Sequence, residues 1–184
     1  MADPVELFSV GYQRWPASNR WERLTRSLQA HRVEVLVDVR HSPCSSELDP
    51  SSNYGPRDWH LQADGRGIAH RLREAGIEYL WLGELGNPQK RDAAMRILRE
   101  QLADRSGRWP VHRGIELLRQ VLLVQRKRCC LMCACAKYDS CHRRLIVEAL
   151  NGQGQVRHRH LAERTLRRAA VPATPGTVAR RSKT

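Results

Sequence analysis

The chain lacks any apolar run approaching the roughly 20 residues that a membrane-spanning helix needs, so no membrane partner is expected. Met1 to Glu6 carries neither a basic stretch nor a following apolar segment, so no secretory leader is predicted. A cytoplasmic location with reduced thiols is the expectation. Internal repeats are absent, which argues against a stacked-repeat architecture. Acidic side chains are scarce: 19 Asp and Glu stand against 32 Lys and Arg, giving a formal net charge of +13. Most of the positive charge is arginine, whose forked guanidinium matches phosphate geometry. Nucleic acid or a nucleotide is therefore the first partner to consider, although a solvated arginine-rich surface produces the same count. A phosphate-cradling glycine loop is also missing. Gly83-Glu84-Leu85-Gly86 has neither its spacing nor its lysine.

What is present is an alternation of strand-like and helix-like segments. Val5 to Val10 is a short apolar-rich run, and Val33 to Val39 is β-branched and nearly continuous, as a buried parallel strand should be. Ile77 to Leu82, Cys129 to Ala134 and Gln155 to Leu161 complete five predicted strands. Apolar residues at three and four spacing predict helices around Trp21 to Leu28, Ile68 to Ala75, Ala93 to Leu102, Ile115 to Val124 and Cys141 to Leu150. The pattern implies an α/β fold: a single three-layer domain over residues 1–161 with a mostly parallel, Rossmann-like sheet. From residue 162 to 184 the pattern decays into a basic tail with Pro172, Pro175 and Gly176, read as flexible. Arg40 to Asp58 is a long turn-rich loop, and Tyr54, Trp59 and His60 near it could stack on a base or simply pin the loop.

The densest chemistry lies late in the chain. Five of the six cysteines fall between Cys129 and Cys141, and His142, Arg143 and Arg144 follow at once. The segment sits at a predicted strand-to-helix turn, where open α/β sheets build their sites. Strand alternation points Cys129, Cys133 and Cys135 to one face and Cys130 to the other, so Cys130 and Cys133 diverge despite their CxxC spacing. Buried, inert core cysteines account for Cys129, Cys130 and Cys133.

Four stretches together resemble the family known as domain of unknown function 488. They are Ser9-Val10-Gly11-Tyr12-Gln13; Asp38-Val39-Arg40 with Pro43 and Ser45; Gly76-Ile77-Glu78-Tyr79 leading to Leu82-Gly83-Glu84-Leu85-Gly86; and Cys133-Ala134-Cys135 with Cys141-His142-Arg143. The resemblance runs across residues 5 to 161. It implies a compact α/β domain and supplies no activity. Relatives often read Gly-His-Ser where this chain has Gly11-Tyr12-Gln13, and many have glutamate at the position of Cys135.

Residues at the carboxyl ends of parallel strands face the ligand crevice, so Gly11, Tyr12, Gln13, Asp38, Arg40, His41, Glu84, Cys133 and Cys135 are expected to line it. Asp38 and Glu84 are the candidate general acids or bases. An alternative is that Asp38 orients Arg40 or fastens the loop. Arg40 and Arg143 are the candidate phosphate-holding residues. Cys141, at a helix start where the dipole lowers a thiol's pKa, is a candidate nucleophile with His142 beside it. No glycine-wrapped phosphatase loop surrounds it. If a metal is bound, zinc or iron would take Cys133, Cys135, Cys141 and His142. Adjacent residues such as Cys141 and His142 rarely ligate one ion well, so no metal or other cofactor is selected on sequence. Polar residues converging on one crevice from several strand ends favour an enzyme, hydrolase or transferase, acting on a nucleotide or nucleic acid; the alternatives are a non-catalytic nucleic-acid-binding module and a thiol or metal protein centred on Cys133 to Cys141. The residues fix no oligomeric state.

Overall fold

The computed structural model describes residues 3–41, 67–87, 92, 94–151 and 154–161. Five strands, β1 (Val5–Gly11), β2 (Val35–Asp38), β3 (Glu78–Trp81), β4 (Cys129–Cys133) and β5 (Val156–His160), form one sheet in the order β3-β2-β4-β1-β5. Every pairing is parallel. The helices are α1 (Arg20–Ala30), α2 (Ile68–Glu74), α3 (Arg96–Ala103), α4 (Pro110–Arg119) and α5 (His142–Leu150). Fold class and strand count therefore follow the sequence expectation. The expected flexible tail, Tyr54, Trp59 and His60 lie outside the described residues.

The two sheet faces are covered because parallel strands need crossover helices. Phe8, Val10, Leu36, Cys130 and Met132 pack on one face with Leu24 and Leu28 of α1 and Ile68 and Leu72 of α2. Leu7, Val35, Val37, Leu131 and Cys133 pack on the other with residues of α3, α4 and α5, among them Leu98, Leu118 and Ile146. The strict alternation of Cys129, Leu131 and Cys133 against Cys130 and Met132 is the strand period of two.

Strand order explains which helix lies where. The chain steps from β1 to β2 to β3 toward one edge, then reverses through β4 to β5 toward the other. Right-handed crossovers put helices of opposite travel on opposite faces. The reversal leaves the carboxyl end of β4 as a switch point with a crevice on either side, against β2 and against β1.

Two helix starts differ from the sequence reading. The fourth helix begins at Pro110, five residues before the periodic run at Ile115, because a proline at the first helical position needs no hydrogen bond from its nitrogen. A single π turn (Gln120–Val124) follows it. The third begins at Arg96 and not Ala93. Asp92 accepts from Arg96 N and Ile97 N at 2.8 Å each, capping the helix there. Among the described residues no helix is long and apolar enough to cross a membrane.

Candidate functional site

Of the expected crevice residues, Gly11, Tyr12, Asp38, Arg40, Cys133 and Cys135 gather at the carboxyl ends of β1, β2 and β4, on two faces of the sheet. Asp38 and Arg40 project to the α1/α2 face. The carboxylate of Asp38 accepts from Arg40 Nε at 2.9 Å and from Arg40 N at 3.0 Å, and both side chains are fully buried. Tyr79 donates its hydroxyl to the same carboxylate at 2.7 Å. Trp81 Nε1 donates to the Arg40 carbonyl at 2.9 Å. The Arg40 guanidinium lies 5.6 Å from the Tyr12 ring centre, a cation–π contact that closes the network.

Electrostatics fit a fixed pair. Burial pulls the Arg40 guanidinium down, and the Asp38 carboxylate more than reverses it, so Arg40 stays charged. Burial, followed by Asp38, raises the Tyr79 phenol, and burial pushes Tyr12 up to about 12. Both hydroxyls are therefore neutral near neutral pH, Tyr79 donating to Asp38 and Tyr12 accepting from Arg40 Nη1. Of the readings weighed for Asp38, the geometry matches the one in which it orients Arg40.

The second cluster projects to the α3–α5 face. Cys133 ends β4, Cys135 follows in the bend, Cys141 is the N-cap of α5 and His142 is its first residue. Cys141 has extended backbone (φ −113°, ψ 146°) while the next residue is helical. That corner brings Cys141 Sγ and Nδ1 of the adjacent His142 to 3.8 Å from each other. Cys133 Sγ lies 3.7 Å from Cys135 Sγ, and all three sulfurs of Cys133, Cys135 and Cys141 fall within 4.8 Å of one another. His142 Nδ1 is 3.8 Å from Cys141 Sγ and 4.0 Å from Cys133 Sγ. Its other nitrogen, Nε2, donates to the Val39 carbonyl at 2.8 Å, so Nδ1 carries the lone pair in the neutral imidazole; burial lowers His142, and its bond to Cys141 more than reverses that.

Arg143 locks this cluster. Nε donates to Cys141 Sγ at 3.2 Å, and Nη2 donates to the Cys135 carbonyl at 2.7 Å. Arg143 is fully buried, and among the described residues its Nη1 has no hydrogen-bond partner. Gly11 makes room: a Cβ there would sit 1.8 Å from the Cys135 carbonyl oxygen and 2.9 Å from Arg143 Nη2. Hydrogen bonds from Cys133 and Cys135 hold the Cys141 thiol well below its ordinary range. In return Cys135 is raised, first by its bond to Cys133. The cluster thus favours the thiolate at Cys141, whose sulfur accepts from Arg143 Nε and faces His142.

Other candidates fall outside both clusters. Glu84 lies in a short 3-10 turn (Gly83–Leu85) after β3, with its Cβ against Gly114 of α4. Its carboxylate makes no hydrogen bond or ion pair among the described residues. His41 packs on Gly86 and is exposed, as is Gln13.

Sequence reasoning missed a third group beside Arg143. Arg14 Nη1 donates to His160 Nε2 at 3.0 Å, so the proton of His160 sits on Nδ1, which donates to Ser9 Oγ at 3.0 Å. The Ser9 hydroxyl then donates to His158 Nε2 at 2.9 Å. Tyr138 stacks on both imidazoles, with centroids at 4.6 and 5.4 Å, and Arg143 lies 5.9 Å from the Tyr138 ring centre. Burial, then the neighbouring positive charges, lowers both histidines to about 4. The alternation Val-Arg-His-Arg-His along β5 was the available signal for this pair.

The model of the family described as Domain of unknown function DUF488 matches residues 20–150. Neither a curated protein nor a solved structure matches the chain.

Proposed function

The chain belongs to the DUF488 family, whose description names no activity, and we propose from its site that it is a metal–thiolate protein that binds one zinc ion through Cys133, Cys135, Cys141 and His142. The single observation that carries this reading is the sulfur cluster with His142 Nδ1 turned toward it. Zn–S bonds of about 2.3 Å in a tetrahedron place sulfurs about 3.8 Å apart. Cys133 and Cys135 are at 3.7 Å, and His142 Nδ1 is at 3.8 Å and 4.0 Å from two of the sulfurs.

Two further features support it. A metal-bound histidine ordinarily donates its second nitrogen to a carbonyl or carboxylate, as His142 does to Val39. Charge also balances: three thiolates against a divalent cation leave one negative charge, and the buried Arg143 guanidinium bonded to Cys141 Sγ offsets it. Soft sulfur ligands select zinc or iron over hard cations. We place the protein in the cytoplasm, where reduced thiols remain available to the ion.

Elemental analysis of protein purified without chelator or metal-affinity resin tests the reading. The expected result is about one zinc per chain, lost in both Cys141→Ser and Cys133→Ser. Folded protein without metal that fails to take up zinc on titration refutes it.

A second reading, a nucleotide- or nucleic-acid-directed hydrolase or transferase, or a non-catalytic binding module, draws its support from the +13 net charge. Its arginine clamp is the weaker part, since Arg40 and Arg143 already serve Asp38, Cys135 and Cys141.

A further inference from the structure

We propose that the carboxyl ends of β1 and β5 form an oxyanion site for phosphate, free or as a monoester, held by Arg14 beside His160 with Arg143 as its second cation. The site does not need the metal ion. Arg14 belongs to the short turn that follows β1 (Tyr12–Arg14), and His160 is the last residue of the neighbouring parallel strand β5. Open α/β sheets bind their ligands at this end of the strands.

Arg14 is half-buried and is fixed through one nitrogen. Its Nη1 donates to His160 Nε2 at 3.0 Å and to the Leu161 carbonyl at 3.1 Å, and both partners are neutral. The bond from His160 Nδ1 to Ser9 Oγ keeps the lone pair on Nε2, where Arg14 needs it. Tyr138 stacks on the same imidazole at 5.4 Å and keeps it from swinging out. Among the described residues, Arg14 Nε and Nη2 have no hydrogen-bond partner and no carboxylate pairs with Arg14. That edge carries parallel N–H groups, the fork that takes two oxygens of one anion. Because the guanidinium is already anchored, less side-chain freedom is lost on binding than at a mobile surface arginine.

Positive charge is left over at this point. Arg143 spends Nε on Cys141 Sγ and Nη2 on the Cys135 carbonyl, while its fully buried Nη1 has no partner among the described residues. Burial, then Arg143 and Arg14, lowers His160, so both guanidiniums act on one imidazole. Neither arginine forms an ion pair among the described residues, and the one negative group bonded to them is the Cys141 sulfur, through Arg143. A carboxylate would fill the Arg14 edge and spend both its oxygens there. A phosphate fills the same edge and keeps further oxygens and charge for Arg143, so phosphate is the chemistry that fits.

The test is titration of the full chain with inorganic phosphate at constant ionic strength, read by heteronuclear NMR, with metal content measured in the same sample. The expected result is saturable one-to-one binding that shifts the Arg14 Nε and His160 ring signals. That readout needs no variant, so it holds even if a substitution perturbs folding. Arg14→Gln should weaken binding at least about tenfold, and Arg14→Lys, which keeps the charge and loses the fork, should weaken it too. Arg157→Gln removes the same charge from an exposed position of β5 and should change affinity less than about twofold. Adenosine monophosphate competing for the same signals identifies an ester as the ligand; phosphate alone identifies the free ion, and either supports the site. Shifts that do not saturate, equal losses in Arg14→Gln and Arg157→Gln, or acetate binding as tightly as phosphate overturns the proposal. Protein that takes up no zinc yet binds phosphate refutes the metal reading alone. Zinc-loaded protein that binds no phosphate overturns this proposal alone.

Discussion

Asp38 and Arg40 carry chemistry that reads as catalytic in the sequence, and in the fold they form a buried pair. Breaking a buried pair strands a charge, which costs about 3–5 kcal/mol. Asp38→Asn should therefore lower the unfolding free energy in urea by that scale, and Asp38→Asn with Arg40→Met should cost less than Asp38→Asn alone. Equal losses in the two variants would contradict the pairing. Gly11 makes the opposite demand. Its missing side chain admits the Cys135 carbonyl, and Gly11→Ala should cost about 1–3 kcal/mol through overpacking. The same change should weaken zinc affinity in a chelator competition, whereas Gly76→Ala, far from the cluster, should leave zinc affinity unchanged. The sequence made Asp38, Arg40, the three cysteines, His142 and Arg143 legible as residues at strand ends. It did not separate them into two faces, since that depends on whether each residue falls odd or even along a strand whose last residue was uncertain by one. It counted the adjacency of Cys141 and His142 against a shared ion; the extended backbone at Cys141, which no side-chain spacing records, sets His142 Nδ1 3.8 Å from Cys141 Sγ.

At the level of elements, α5 and β5 frame the site from one side. α5 delivers His142 and Arg143 from its first turn, and its buried face, Leu145, Ile146 and Leu150, fixes the register in which they arrive. β5 places His158 and His160 on the face of Ser9. Both are held at about 4, below their ordinary value of about 6.5, so the unfolded chain binds more protons between those limits. Their contribution to stability is fully present above about pH 6.5 and is lost as pH falls toward 4. Thermal melts at stepped pH should show that decline, and replacing both histidines by asparagine should flatten this part of the profile. An unchanged slope would mean the relay through Ser9 is not formed. This pair was within reach of sequence reasoning through the alternation in β5. The Ser9 partner was not, because parallel register between β1 and β5 spans almost the whole chain.

For the whole molecule, the reversal of winding at β4 is what brings β1, β2 and α5 to one point. The alternation of strands and helices was legible throughout, and so was the family resemblance. Strand order was not, since the position of β4 between β2 and β1 comes from tertiary packing across long separations. The +13 charge is a second whole-molecule property. If nucleic acid is a partner, binding should weaken linearly in log salt with a slope near −0.7 to −0.9 per phosphate contacted, and it should persist in Cys141→Ser. Loss of nucleic-acid binding together with the metal would instead join the two properties in one site.

X-ray absorption at the zinc edge of the native protein tests the central claim most directly. The account predicts a first shell of about three sulfurs near 2.3 Å and one nitrogen near 2.0 Å, losing one sulfur in Cys135→Ser. A shell of oxygen and nitrogen alone, or the same three-sulfur shell in Cys135→Ser, would contradict it.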